Sequence, residues 1–143
     1  MSVLAVIPCS KEKIWDIDTQ RGAVRADQAY RSAFHKLSRL YAEKYADDWV
    51  ILSAKYGFLR PDDMVDGPYD VTFGRPLDSY ITQETLSAQA SGSWSKVSAV
   101  IVLCPSLYEQ RVRRSFCFAD VRTPLKGVGG WGAMHSFLRR AIV

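Results

Sequence analysis

Ile51-Leu52-Ser53-Ala54-Lys55-Tyr56-Gly57-Phe58-Leu59-Arg60-Pro61 begins as an apolar run and stops abruptly at serine, lysine, tyrosine and glycine. A strand buried on both faces reads as such a run. Its polar end predicts a strand that opens into a site, because ligands of open α/β sheets bind at the carboxyl ends of strands. Two other segments have the same form. One is Val3-Leu4-Ala5-Val6-Ile7-Pro8-Cys9-Ser10-Lys11, the other Val97-Ser98-Ala99-Val100-Ile101-Val102-Leu103-Cys104-Pro105-Ser106. Three apolar strands ending in serine and cysteine predict one shared site for a small molecule or nucleotide.

Helical patterns separate these strands. From Asp27, which suits an N-cap, Tyr30, Phe34, Leu37, Tyr41 and Tyr45 recur at helical spacing and form one stripe. A weaker helix is predicted over 78–92, with Tyr80, Ile81 and Leu86 on its apolar side and Ala90-Ser91-Gly92-Ser93 at its end. Another starts at Ser106 and carries Leu107, Tyr108, Val112 and Phe116. A fourth strand is predicted at 117–122, and a last helix from about Ala133 with Met134, Phe137, Leu138 and Ile142. Residues 9–25 read as a loop. Residues 57–76 hold Gly57, Pro61, Gly67, Pro68, Gly74 and Pro76, too many breakers for a helix. Long loops of this kind often carry function. The pattern predicts a single α/β domain over residues 1–143, with a mostly parallel central sheet flanked by helices.

With 143 residues, 48% of them hydrophobic and 24% charged, the chain can bury one core. No window reaches the ~20 apolar residues of a membrane helix, and the N-terminus lacks a signal-peptide pattern. A cytoplasmic location and no membrane partner are expected. Cys9, Cys104 and Cys117 form no C-x-x-C pair, so neither zinc nor a disulfide framework is predicted. Cys9 and Cys104 both end strands, as neighbours in space or as plain packing residues. The net charge is +4, but residues 105–143 hold seven Lys/Arg against two Asp/Glu. That basic excess suits nucleic acid or a phosphorylated ligand, or simply a solvated helix face.

The candidate chemistry lies at the strand ends. Cys9-Ser10-Lys11-Glu12-Lys13 offers a thiol, a hydroxyl and two amines that suit a phosphate, a carboxylate or the edge of a base. A cysteine beside cations has a lowered pKa and serves as a nucleophile. Lys55 is a base or fixed cation, Tyr56 a stacking platform, and Gly57 permits a backbone that a Cβ would block. Asp62, Asp63, Asp66, Tyr69 and Asp70 cluster in the long loop, and Asp70 is the choice for acid/base work. Lys126-Gly127-Val128-Gly129-Gly130-Trp131-Gly132 precedes a helix and is a candidate anion cradle. No Walker loop or calcium loop occurs. No metal and no cofactor is expected. Two histidines, His35 and His135, both fall inside predicted helices and do not support a Ser-His-Asp site.

Four segments also carry a resemblance: Ile51 to Arg60, Pro68-Tyr69-Asp70-Val71-Thr72, Ser106 to Tyr108, and Pro124-Leu125-Lys126-Gly127-Val128-Gly129. Together they resemble a family of small bacterial and phage domains of unknown function, itself similar to the peroxide-stress YaaA-like proteins. The YaaA likeness implies DNA binding and oxidative stress. Pro8-Cys9-Ser10-x-x-Lys13 is similar to a segment of the core domain of archaeosine synthase, which modifies a deazaguanine base in tRNA. That likeness implies Cys9, Ser10 and Lys13 as site residues. The chain departs from it at Ile14-Trp15.

The expected function is an enzyme acting on a nucleobase, nucleotide or nucleic-acid base, of glycosylase, transferase or base-modifying type. Lys55, Asp70 and Cys9 are its catalytic candidates. Ser10, Lys13, Ser53, Tyr56, Gly57, Tyr69, Ser106, Gly127 and Gly129 are its ligand-binding candidates. The alternative is a non-catalytic DNA- or RNA-binding module that uses Arg111, Arg113, Arg114, Arg139 and Arg140 on phosphates.

Overall fold

In β1 (Ser2–Pro8) Leu4 and Val6 face one way and Ala5 and Ile7 the other, all four buried. A strand covered on both faces must sit mid-sheet, and this one does. The computed structural model describes residues 2–75 and 79–143. The predicted breaker Pro76 and the start of the predicted helix at Asp78 lie outside the described residues.

After β1 come α1 (Ile14–Ile17), β2 (Val24–Arg25), α2 (Ala26–Ala29), α3 (Ala33–Tyr45) and β3 (Asp48–Ser53). Next are β4 (Gly57–Leu59), β5 (Met64–Val65), α4 (Gln83–Ser93), β6 (Val97–Val102), α5 (Ser106–Ser115), β7 (Asp120–Arg122) and α6 (Trp131–Ala141). The sheet order is β4-β3-β1-β6-β7. β1 pairs in parallel with β3 and β6, and β6 with β7; β4 alone runs antiparallel, against β3. This is a single α/β domain with a mostly parallel central sheet. α3 and α6 pack on one face over Ala5, Ile7, Ile51, Ile101 and Leu103. α4 and α5 pack on the other over Leu4, Val6, Val50, Leu52, Val100 and Val102. Each fully buried aliphatic side chain contributes about 1.5–3 kcal/mol.

Several predicted boundaries move, each for a local reason. The stripe from Asp27 is two helices. Tyr30 is extended (φ −105°, ψ 134°), and Ser32 caps α3 by accepting the His35 N–H at 3.1 Å. Tyr30 leaves the helix and bridges Lys13 across the sheet end. The two segments read as loops hold a small antiparallel ribbon, Val24 opposite Val65 and Arg25 opposite Met64. Thr82 starts α4 by accepting the Thr85 N–H, so Tyr80 and Ile81 precede the helix. The predicted strand at 117–122 shortens to three residues, and α6 begins at Trp131 instead of Ala133.

Ile51 to Arg60 does not behave as the other two strand ends do. β3 turns back through Ala54-Lys55-Tyr56 into β4, with Ser53 opposite Gly57. Ser53 Oγ accepts the N–H groups of Lys55 and Tyr56, both at 3.2 Å. Gly57 sits at φ +82°, the left-handed residue that a three-residue hairpin loop needs.

Candidate functional site

In parallel strand numbering the chain steps from β1 out to β3, then returns to the far side of β1 at β6. The ends of β1 and β6 therefore flank the reversal of strand order, where α/β sheets form clefts. The protein has one there. Three lobes of about 400, 370 and 440 Å³ surround Pro105 and Trp131, which line all three.

The β1 end is braced on every side. Cys9 N–H donates to the Leu52 carbonyl at 3.2 Å. Ser10 Oγ accepts the Arg31 N–H at 3.2 Å and donates to the Glu12 carbonyl. His35, buried beneath, donates from Nδ1 to the Pro8 carbonyl at 3.1 Å. That leaves Nε2 buried without a partner among the described residues. Burial lowers the His35 pKa to about 4, so the ring is neutral near pH 7.

The first lobe is lined by Cys9, Lys11, Lys13, Asp70, Tyr108 and Trp131, among others. Lys13 is only 8% exposed. Its Nζ lies 4.6 Å from the Tyr69 ring and 6.0 Å from Tyr30, and donates weakly to the Lys11 carbonyl at 3.4 Å. Burial pushes its pKa down, opposed by Cys9, Asp70 and Asp16. The Cys9 thiol is pushed up by burial, with Lys13 pulling the other way. Tyr108 OH pairs with Thr72 Oγ1 at 3.0 Å, and its pKa is pushed up to about 12, mainly by burial. Tyr69 OH joins Ser53 Oγ at 2.8 Å and Tyr30 OH by a short hydrogen bond. Both Ser53 lone pairs are taken by backbone N–H groups, so its hydroxyl proton points to Tyr69.

The candidates divide. Cys9, Ser10, Lys13 and Asp70 come together in the first lobe, and Ser106, Gly127 and Gly129 share the second. Gly127 and Gly129 adopt φ +79° and +130°, which favour glycine. Ser53, Tyr56 and Gly57 do not line any of the three lobes; the hairpin uses them. Lys55 is exposed outside them, with Nζ 5.2 Å from Tyr56 and 5.5 Å from Tyr69. Asp70 lies on the rim, 74% exposed, bound to Arg75 at 2.9 Å. The Arg75 hydrogen bond and charge hold its carboxyl below the usual range, which suits binding more than proton transfer. Burial pushes the Cys9 thiol toward its protonated form, against the pull of Lys13.

The five arginines line none of the three lobes. Arg113 and Arg114 end α5 and Arg139 and Arg140 end α6, on opposite faces of the sheet and away from the cleft. Cations in a last turn complement the helix dipole. Arg111 stacks on Phe73 at 4.2 Å, and Arg113 pairs with Glu109 at 3.4 Å. Tyr30, Tyr108 and His35, which read as helix residues, were not predicted at the cleft, and Trp131 was predicted only as part of the glycine cradle; Lys11 belongs to the strand-end motif that was. Among the described residues no three His, Cys, Asp or Glu side chains gather as for a metal.

A family model matches residues 4–140: the family of unknown function DUF6884. The chain belongs to that family. It is 40% identical to the uncharacterized protein YfjM of Bacillus subtilis (strain 168) over 144 residues, covering 99% of this chain and 96% of the relative. The expected membership in a family of unknown function is thus met, while the YaaA-like and archaeosine synthase likenesses gain no support from these matches. Among the described residues no helix is long and apolar enough to cross a membrane.

Proposed function

We propose that this protein is an enzyme that binds and processes a nucleobase or nucleotide in the cleft at the ends of β1 and β6. One observation carries the reading: an exposed tryptophan stands beside a buried amine and a half-buried thiol in a single cleft. Trp131 is 58% exposed. Phe34 contacts it edge-on at 4.8 Å and 89°, and His135 at 6.3 Å. A base stacks on such a platform, a contact worth about 1–3 kcal/mol. Lys11 and Lys13 suit the polar edge of the base or its phosphate. Neither α5 nor α6 has a side-chain N-cap, and Ser106, Lys126, Gly127 and Gly129 line the lobe at their starts. That lobe suits a phosphate group. The likeness of Pro8-Cys9-Ser10-x-x-Lys13 to a base-modifying enzyme points the same way.

The test is thermal stabilisation by nucleobases, nucleosides, nucleotides and short DNA and RNA, read beside tryptophan quenching. A specific ligand at 100 times its Kd stabilises by about 2.7 kcal/mol. Trp131→Ala is expected to weaken binding roughly 5- to 150-fold, matching the stacking term, with far-UV dichroism unchanged. Stabilisation only by oligonucleotides, lost with salt, would replace the enzyme with the nucleic-acid-binding module. No response to any small ligand sinks the reading.

A further inference from the structure

Lys13 is the least expected group in the molecule. A lysine rarely stays buried without an ion pair, yet among the described residues no carboxylate reaches Nζ within ion-pair distance. Its surroundings are the Tyr69 and Tyr30 rings and one long contact to a carbonyl. Even so, Lys13 lines the first lobe, beside Cys9 and Tyr108. We propose that Lys13 Nζ is a nucleophile that forms an imine with an aldehyde- or ketone-bearing phosphate held in this cleft. This goes beyond the function proposed above: it shares that cleft and its phosphate lobe, and adds a carbonyl-bearing ligand.

Burial pushes the Lys13 amine and the Cys9 thiol in opposite directions, the amine toward its neutral form and the thiol toward its protonated form. Two groups whose environments separate them in this way divide the roles of acid and base. The neutral amine attacks, as desolvated lysines do. Its lone pair forms the C–N bond while the C=O π pair moves onto oxygen. Cys9 Sγ–H or the Tyr108 hydroxyl protonates that oxygen and recovers a proton from the new C–N centre. The carbonyl oxygen departs with both protons of the neutral amine as water, leaving the imine. No oxidant or reductant is needed. The charged and titratable groups acting on Nζ are Cys9, Asp70 and Asp16, with the Tyr30 and Tyr69 rings beside it.

The experiment treats the full chain with pyridoxal 5′-phosphate, an aldehyde and a phosphate in one probe. Borohydride then fixes any imine, and peptide mapping locates it. Labelling at Lys13 is expected to exceed that at the exposed Lys55 several-fold and to persist at a lower pH than an ordinary lysine allows. Lys13→Arg keeps a cation over Tyr69 and is expected to lose the label without loss of folding. Labels spread evenly over Lys11, Lys55 and Lys126, with Lys13 no faster, overturn the proposal. Nucleotide stabilisation without Lys13 labelling also overturns it, and leaves the nucleotide reading standing. Selective labelling that no nucleotide competes away upholds the nucleophile and removes the nucleotide as its ligand.

Discussion

The end of β1 and the end of β3 are chemically alike and structurally opposite. Both are apolar strands that break into serine and lysine. After β1 the chain runs outward, with Ser10 and His35 pinning its carbonyls and amides, and Lys13 is left lining a cleft. After β3 the chain folds back on itself, and Ser53 and Gly57 are consumed by the turn. The difference is position. β1 lies at the reversal of strand order, where neighbouring connections leave in opposite directions and open a crevice. β3 has an antiparallel partner waiting at the edge of the sheet. A polar strand end becomes a site only when the topology keeps its neighbours apart.

The largest effect expected from this contrast lies under β1. His35 has an ordinary pKa of 6.5 and about 4 in the fold. Burial disfavours its charged form, so its contribution is fully present above pH 6.5 and is lost as pH falls toward 4. The difference is about 3 kcal/mol. Urea unfolding at pH 7 and pH 4 is expected to show that loss in the wild type and not in His35→Gln. An equal loss in both would mean that the β1 end is not braced by a neutral histidine.

The next effect lies at the hairpin. A Cβ on Gly57 would stand 2.3 Å from Gln89 Oε1, and the backbone is already at φ +82°. Gln89 holds the Phe58 N–H at 2.9 Å and the Tyr56 carbonyl at 3.1 Å, so it is not free to move aside. Gly57→Ala is expected to cost about 1–3 kcal/mol in denaturant and to leave the affinity of any cleft ligand unchanged. Lost affinity in a folded Gly57→Ala protein would return the hairpin to the site. The smallest effect is at Lys55. Lys55→Ala is expected to stay within about 0.5 kcal/mol of wild-type stability, with ligand thermal shifts intact, whereas Lys13→Ala removes them. A matching loss at Lys55 would erase the distinction between the two strand ends.

The three apolar runs that begin at Val3, Ile51 and Val97 were legible as buried strands because the covering helices demand continuous hydrophobicity there. The starts of α5 at Ser106 and the partial stripe of α3 were legible for the same reason. Cys9, Ser10 and Lys13 were also legible as the polar end of β1, since polar groups abutting a buried strand lie at a sheet edge, and they line one lobe of the cleft. Tyr30 was not. Its helical spacing from Phe34 hid the break that the Ser32 cap makes. Trp131 read as part of the glycine-rich cradle before the last helix, and only α6 beginning there holds its ring against Phe34.

Local hydrophobicity and turn chemistry thus determined that this chain forms an α/β domain, where its inner strands run, and that one end of the sheet is polar. They act over a few residues and are written in the sequence. Tertiary structure alone decided which polar end is the cleft, because strand order depends on contacts such as those of β1 with β6, nearly a hundred residues apart. It also decided which lysine is buried: Lys13 and Lys55 are the same residue type after similar strands, and desolvation, which separates their chemistry, is a property of everything packed around them.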